Sequence, residues 1–263
     1  MKTWAKVSIA VAALGGIAAA AALLSLKGKA LLPSATEQWA PVPRVVDPFK
    51  YLDSPEPDAV RLFDGESLAE WINSNDRGPA SWAIADGVVT VHKPSGNIET
   101  RRSFRNYRLH LEWRVPAGIT GKGQARGNSG LFLASTGPGD EGYELQILDP
   151  WENPTYANGM AGAIYKQHAP LVNPGRPPGE WNVYDVVWTA PVFAPDGKLT
   201  APARVSLHFN GVLVQDNVML AGPTVFAGQP VYKPHGPAPI KLQAHGDPSA
   251  PISFRKMWVL ELP

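Results

Sequence analysis

The sequence predicts an all-β fold, a β-sandwich or jelly roll, preceded by one hydrophobic helix at its N-terminus. Three features point there. From about Arg61 onward, short segments place apolar residues at every second position, the period of a half-buried strand. Between them stand Gly, Pro and Asn; 25 Gly and 27 Pro in 263 residues is a density that helix interiors do not tolerate. Past residue 30, no stretch repeats apolar residues at the helical spacing of about 3.6.

Residues 1–30 are a different object. Lys2 and Lys6 precede Val7 to Leu26, a run without charge. Roughly 20 residues at ~1.5 Å each make a helix long enough to cross a bilayer's hydrocarbon core. A signal peptide has a shorter apolar region and a small-residue cleavage site, which only Gly28-Lys29-Ala30 approximates here. The segment therefore reads as an uncleaved transmembrane anchor in contact with lipid through residues 7–26, with a cleaved signal as the alternative. Both export the remainder of the chain. The expected location is the periplasmic side of the inner membrane, anchored there or, in the alternative, soluble in the periplasm. Residues 31–60, with "PVPRVVDPFKYLDSPEPD", read as a Pro-rich extended tether, and residues 61–263 as the folded domain.

Within the domain the strand candidates are "SWAIADGVVTVH", "YRLHLEWRV", "SGLFLAS", "YELQILD", "WNVYDVVWT", "RVSLHFNGVLVQD", "IKLQAH" and "ISFRKMWVLEL". In the sixth, Asn210-Gly211 is a hairpin signal, because both residue types accept positive φ. Alternation also sorts the faces. Tyr107, Leu109, Leu111, Trp113 and Val115 share one side of their strand, leaving Arg108, His110, Glu112 and Arg114 on the other. Tyr143, Leu145 and Ile147 oppose Glu144 and Gln146, and Ile240, Leu242 and Ala244 oppose Lys241, Gln243 and His245. If these strands are neighbours, their polar faces line a sugar-sized groove. The plainer reading is a solvated face, since any half-exposed antiparallel strand alternates in this way.

A net charge of +1, with no basic run outside the N-terminus, argues against a nucleic-acid partner. The absence of Cys excludes disulfides, thiolate catalysis and a lipid attached through sulfur. The six His are scattered, with no H-x-H or H-E-x-x-H spacing. No cofactor is evident, although Glu144 or His245 could hold a divalent metal.

Seven segments in order, "RLFDGESLAEW", "GNSGLFL", "YELQILD", "AGAIYKQHAP", "GEWNVYDV", "LHFNGVLVQD" and "PIKLQAHGDPSAPISFRKMWVLEL", resemble the 3-keto-disaccharide hydrolase family over Arg61 to Leu262. The resemblance implies a concanavalin-like jelly roll. It also implies cleavage of glycosides already oxidised at C3, by elimination across C1–C2 followed by hydration. Two departures stand out. "FRKM" replaces a common Asn after the Arg, and "WTAPVFAPDGKLTAPA" lengthens one connection.

A C3 ketone acidifies the C2 proton, so the implied chemistry needs a base, a donor for the enolate and an acid for the leaving group. Glu112 and Glu144 are the acid/base candidates, if their strands are neighbours, and His245 is the third. Asn128, Gln146 and Gln243 are expected to bind sugar hydroxyls, and Lys166 or Arg114 to polarise the ketone oxygen. Plainer roles exist for each: Glu112 as an ion-pair partner, His245 as a turn cap, Asp64 and Asp149 as turn residues. A second enzymatic reading is a retaining glucanase, whose paired carboxylates would fall on Glu144 and Asp149, with Gln146 in place of the middle carboxylate. A reading from another class is a non-catalytic periplasmic accessory subunit of a respiratory or photosynthetic membrane complex, docking through the same fold.

Overall fold

A computed structural model describes residues 32–48 and 58–263. Two compact units divide the chain: Gln38–Thr224 with Pro230–Pro263, and Met1–Glu37 with Val225–Gln229. In the smaller unit the described residues Pro33–Thr36 make a single 3-10 turn. The anchor expected over residues 7–26 lies outside the described residues. Among the described residues no helix is long and apolar enough to cross a membrane.

The larger unit is an all-β sandwich of two sheets. The bigger sheet runs Val212–Met219, Arg204–Phe209, Asn182–Thr189, Asn106–Arg114, Ser253–Leu262, Val88–Thr90 and Ala83–Ala85, with Val60–Phe63 also paired to Ser253–Leu262. The smaller runs Trp71–Asn73, Ile98–Thr100, Lys241–Leu242, Ser129–Ser135 and Gly142–Ile147. Inward residues follow the alternation read from the sequence. Tyr107, Leu109, Leu111 and Trp113 meet Leu131, Leu133, Tyr143, Leu145 and Ile147 in one core.

Two tyrosines tie the layers together through their hydroxyls. Tyr107 Oη donates to the Leu133 carbonyl at 2.5 Å, and Tyr184 Oη donates to the Gln146 carbonyl at 2.8 Å. Burial pushes both phenols well above their ordinary range, so both stay neutral donors. Trp113, Tyr184 and Phe209 pack with centroids 4.9 to 5.9 Å apart, and Tyr184 meets both of the others in the edge-on geometry that aromatic quadrupoles favour. The second tyrosine bond fixes the backbone of Gly142–Ile147 from beneath.

The hairpin expected at Asn210-Gly211 is present, with φ of 50° and 78° and Phe209 paired to Val212. The lengthened connection "WTAPVFAPDGKLTAPA" folds into its own ribbon, Val192–Phe193 against Leu199–Ala201. Within the segment expected as a Pro-rich extended tether, two stretches meet the rest of the larger unit. Arg44–Val45 pairs in parallel with Val172–Asn173, and Gln38 N donates to Asn158 Oδ1 at 2.8 Å. Unmet backbone donors and acceptors at a strand edge recruit such a segment.

Candidate functional site

The outer face of the smaller sheet gathers most of the expected side chains. Register sets a row across five strands: Ile72, Glu99, Lys241, Phe132 and Glu144 stand side by side. The next row brings Gln243, whose N–H bonds the Gly130 carbonyl, beside Gly130 and its partner Gln146. Asn128 precedes Ser129–Ser135 and His245 follows Lys241–Leu242, which brings both to the same end of the sheet. There Asn128 Nδ2 lies 3.5 Å from His245 Nε2.

Glu144 is buried, and its carboxyl is pushed up to about 8, first by that burial and then by the charge of Asp140. The Gln146 carboxamide lies 3.0 Å from Glu144 Oε1 and 3.1 Å from Gln124 Oε1. Gln243 Oε1 is buried and meets no hydrogen-bond donor among the described residues. His245 Nδ1 lies 3.1 Å from Asp247 Oδ2, which leaves Nε2 toward Asn128. Burial alone would raise the Asp247 carboxyl. Bonds from His245, Ser249 and Lys93 outweigh it and hold Asp247 far below the usual carboxylate range. Asp247 is therefore an anion, and both its carboxylate and its own N–H, at 3.2 Å, lie against His245 Nδ1.

Lys166 sits at the edge of this face. Its backbone has φ of 62°, and its Nζ lies 4.7 Å from the Tyr156 ring centroid and 5.8 Å from that of Tyr165. The two phenols bond each other at 2.7 Å, and Tyr165 N–H donates to the Glu144 carbonyl at 3.1 Å.

Glu112 and Arg114 are elsewhere. Their strand belongs to the other sheet, with Glu112 in register with Val183 and Arg255, so their polar side is the opposite outer face of the sandwich. Glu112 is buried in ion pairs with Arg255 and, at 3.0 Å, Lys256 Nζ. Arg114 and Arg255 lie 4.5 and 4.1 Å from the Trp181 ring centroid. Glu112 and Glu144 therefore cannot form an acid/base pair. The pairing of Glu144 with Asp149 fails as well: Asp149 Oδ1 accepts Trp151 N–H at 3.0 Å, and its other oxygen meets Arg126 Nε at 2.6 Å. Asp64 also fixes a turn, accepting from Glu66 N and Ser67 N.

Sequence reasoning missed Gln124 and Lys93, in single 3-10 turns, and Asp247 and Asp140, on loops, all without periodicity. Only Asp247 left a trace, as an Asp two residues after a strand-end histidine. Among the described residues no group of three or more His, Cys, Asp or Glu could hold a metal ion.

Comparisons with known proteins agree on a relationship. A curated 3-keto-disaccharide hydrolase from Bacteroides thetaiotaomicron is 26% identical over 203 residues, spanning 62% of this chain and 67% of that protein. A crystal structure of a provisionally named glycosyl hydrolase from Parabacteroides distasonis superposes with a TM-score of 0.75 at 47% identity, covering 86% of this chain and 94% of that one. A second structure from the same organism, at 20% identity and a TM-score of 0.58 over 78% and 94% of the two chains, shares the fold. The model of the 3-keto-alpha-glucoside-1,2-lyase-like domain matches residues 58–260, and the chain belongs to that family.

Proposed function

We propose that this concanavalin-like jelly roll cleaves 3-keto glycosides in the groove of its smaller sheet, with Glu144 as base and His245 as acid. The observation that carries the reading is a buried Glu144, raised to about 8, on the same face as an Asp-held histidine and a set of buried amides. A base whose pKa lies near the working pH combines availability with driving force.

In the proposed sequence the ionised Glu144 removes the C2 proton, and the electron pair moves onto the C3 oxygen as an enolate. Lys166 at the rim supplies positive charge for that oxygen. The enolate then expels the C1 substituent. Its oxygen takes the proton from the His245 imidazolium, which Asp247 stabilises. Addition of water to the unsaturated product gives the free 3-keto sugar, so the net reaction is hydrolysis. Asn128, Gln146 and Gln243 bind hydroxyls, with the buried Gln243 oxygen, which meets no donor among the described residues, as one acceptor. We place the site on the periplasmic side of the inner membrane, tethered through residues 7–26.

The test is turnover of a 3-keto disaccharide in deuterium oxide. Wild type should release 3-keto sugar and incorporate deuterium at C2, and Glu144→Gln should lose about a hundredfold or more in rate. A folded wild type that cleaves no 3-keto glycoside sinks the proposal.

A further inference from the structure

We propose that Gln146 turns its carboxamide with the ionisation of Glu144, so that binding a hydroxyl-rich ligand and forming the Glu144 carboxylate are one linked event. The ligand half rests on the reading of the groove as a sugar site. The amide half stands on the free protein alone.

The Gln146 side chain is buried, and its two terminal atoms occupy fixed positions. One lies 3.0 Å from Glu144 Oε1 and 3.2 Å from the Ser129 carbonyl. The other lies 3.1 Å from Gln124 Oε1 and 3.4 Å from Asn128 Oδ1. All these neighbours are oxygens, and a carboxamide has only one donor end. One end must therefore place oxygen against oxygen, and the protonation of Glu144 decides which.

With the nitrogen toward Gln124 and Asn128, the Gln146 oxygen faces Glu144 Oε1. Only a proton on the carboxyl can bridge those two atoms, so this orientation belongs to the neutral acid. With the nitrogen toward Glu144, Gln146 donates to the carboxylate and to the Ser129 carbonyl. That bond is charge-assisted, so the orientation belongs to the ionised form.

The second orientation changes the groove. The Gln146 oxygen joins Gln124 Oε1 and Asn128 Oδ1 as three acceptors facing one another. Asn128 spends its own Nδ2 on the Gln124 carbonyl at 2.8 Å and reaches Gln124 Oε1 at only 3.4 Å. Gln124 Nε2 is engaged by Thr155 Oγ1 and the Gly159 carbonyl. The cluster lacks donors, and sugar hydroxyls are donors. A ligand bound there favours the ionised orientation, and the proton leaves Glu144 for solvent. Substrate binding thus arms the base. The other titratable groups around this cluster are Asp140, whose charge bears on Glu144, and His245, which is reached through Asn128. Tyr165 and Lys166 lie on the segment bonded to the Glu144 carbonyl.

The experiment is NMR of the full chain in detergent with 15N-labelled glutamine side chains, assigning Gln146 by the signal lost in Gln146→Met. The Gln146 amide should shift through one transition with the midpoint of the Glu144 carboxyl, and should stay fixed over that range in Glu144→Gln. An amide signal that ignores the Glu144 titration overturns the switch. For the ligand half, trehalose is titrated below that midpoint in two buffers of different ionisation enthalpy. Wild type should release up to about one proton per sugar, and Gln146→Met, which lacks the hydroxyl-binding amide, should bind more weakly and release fewer protons per sugar bound. Buffer-independent heat, or no saturable binding, overturns the linkage. If the amide titrates with Glu144 but no 3-keto glycoside is cleaved, the catalytic reading falls and the switch remains.

Discussion

Gly130 and Glu144 are diagonal neighbours on adjacent strands, and a Cβ on Gly130 would lie 2.7 Å from Glu144 Oε1 and 3.1 Å from the Phe132 ring. The missing side chain is the space into which the carboxylate folds. Gly130→Ala should displace that carboxylate and cost about 1–3 kcal/mol of stability by overpacking. Turnover should fall about tenfold or more in protein that still gives a native near-ultraviolet circular dichroism spectrum, since small misplacements of a catalytic group are costly. Full activity in this variant would show that the position of Glu144 does not matter.

The raised Glu144 carboxyl makes two pH predictions of opposite sign. Only the ionised base accepts a proton, so C2 deuterium exchange into a 3-keto sugar, a step that needs the base and not the protonated His245, should rise in rate with pH through a midpoint near 8. Stability should move the other way. The native state binds the Glu144 proton more tightly than the unfolded chain, whose reference value is 4.5. Its contribution is complete below that value and is lost as pH rises toward 8. Glu144→Gln removes this dependence. At alkaline pH it should be more stable than wild type, by at most about 5 kcal/mol. Urea midpoints measured across the pH range check the slope, and parallel curves for the two proteins would contradict it.

Asp247 works in the other direction. Its lowered carboxyl contributes stability above the reference value of 3.8 and loses it as pH falls through the lower folded value. Asp247→Asn should flatten acid unfolding below about pH 4 and cost about 1–3 kcal/mol near neutrality, because Lys93 loses its buried anion. Turnover should fall about a hundredfold, since the His245 imidazolium loses the charge that stabilises it. If turnover survives while stability drops, Asp247 is a structural residue only.

Glu112 separates what alternation can reveal from what it cannot. The strands carrying Glu112 and Glu144 have the same pattern, and in both the inward residues were read correctly. Period-2 alternation tells inside from outside, but in a sandwich there are two outsides. The sheet to which a strand belongs depends on long-range pairing, which no local pattern carries. The same limit hid Trp71–Asn73 and Ile98–Thr100, whose three residues are too few to show a period. It hid Gln124 and Asp247 as well, because a single 3-10 turn or a loop carries no period at all. "IKLQAH" shortens to Lys241–Leu242, yet its polar residues still lie on the outer face of the smaller sheet. Glu112→Gln should accordingly leave 3-keto-glycoside turnover within about twofold, while costing about 1–3 kcal/mol as Arg255 and Lys256 lose their buried partner. Loss of turnover in a stable variant would bring Glu112 back as a catalytic residue.

Lys241 governs the surroundings of Glu144 at a distance. It is fully buried two strands away, and its Nζ donates to the carbonyls of Gly137, Gly139 and Glu141 at 2.7, 2.9 and 3.2 Å. That grip holds the loop bearing Asp140, which Asn97 Nδ2 also bonds at 2.9 Å. Burial lowers the ammonium's pKa, yet the neighbouring Glu99, Asp140 and Glu141 favour the charged form. Lys241→Met keeps the volume and removes the three bonds, so backbone hydrogen exchange should quicken at Gly137–Gly142. With the loop released, the charge of Asp140 moves away from Glu144, and the midpoint of the pH–rate profile should fall. Asp140→Asn should lower the midpoint too, without loosening the loop. The fall should be modest in both, because burial is the larger cause of the raised value. A midpoint that drops to the ordinary carboxylate range in Asp140→Asn would show that charge repulsion, rather than burial, sets the base.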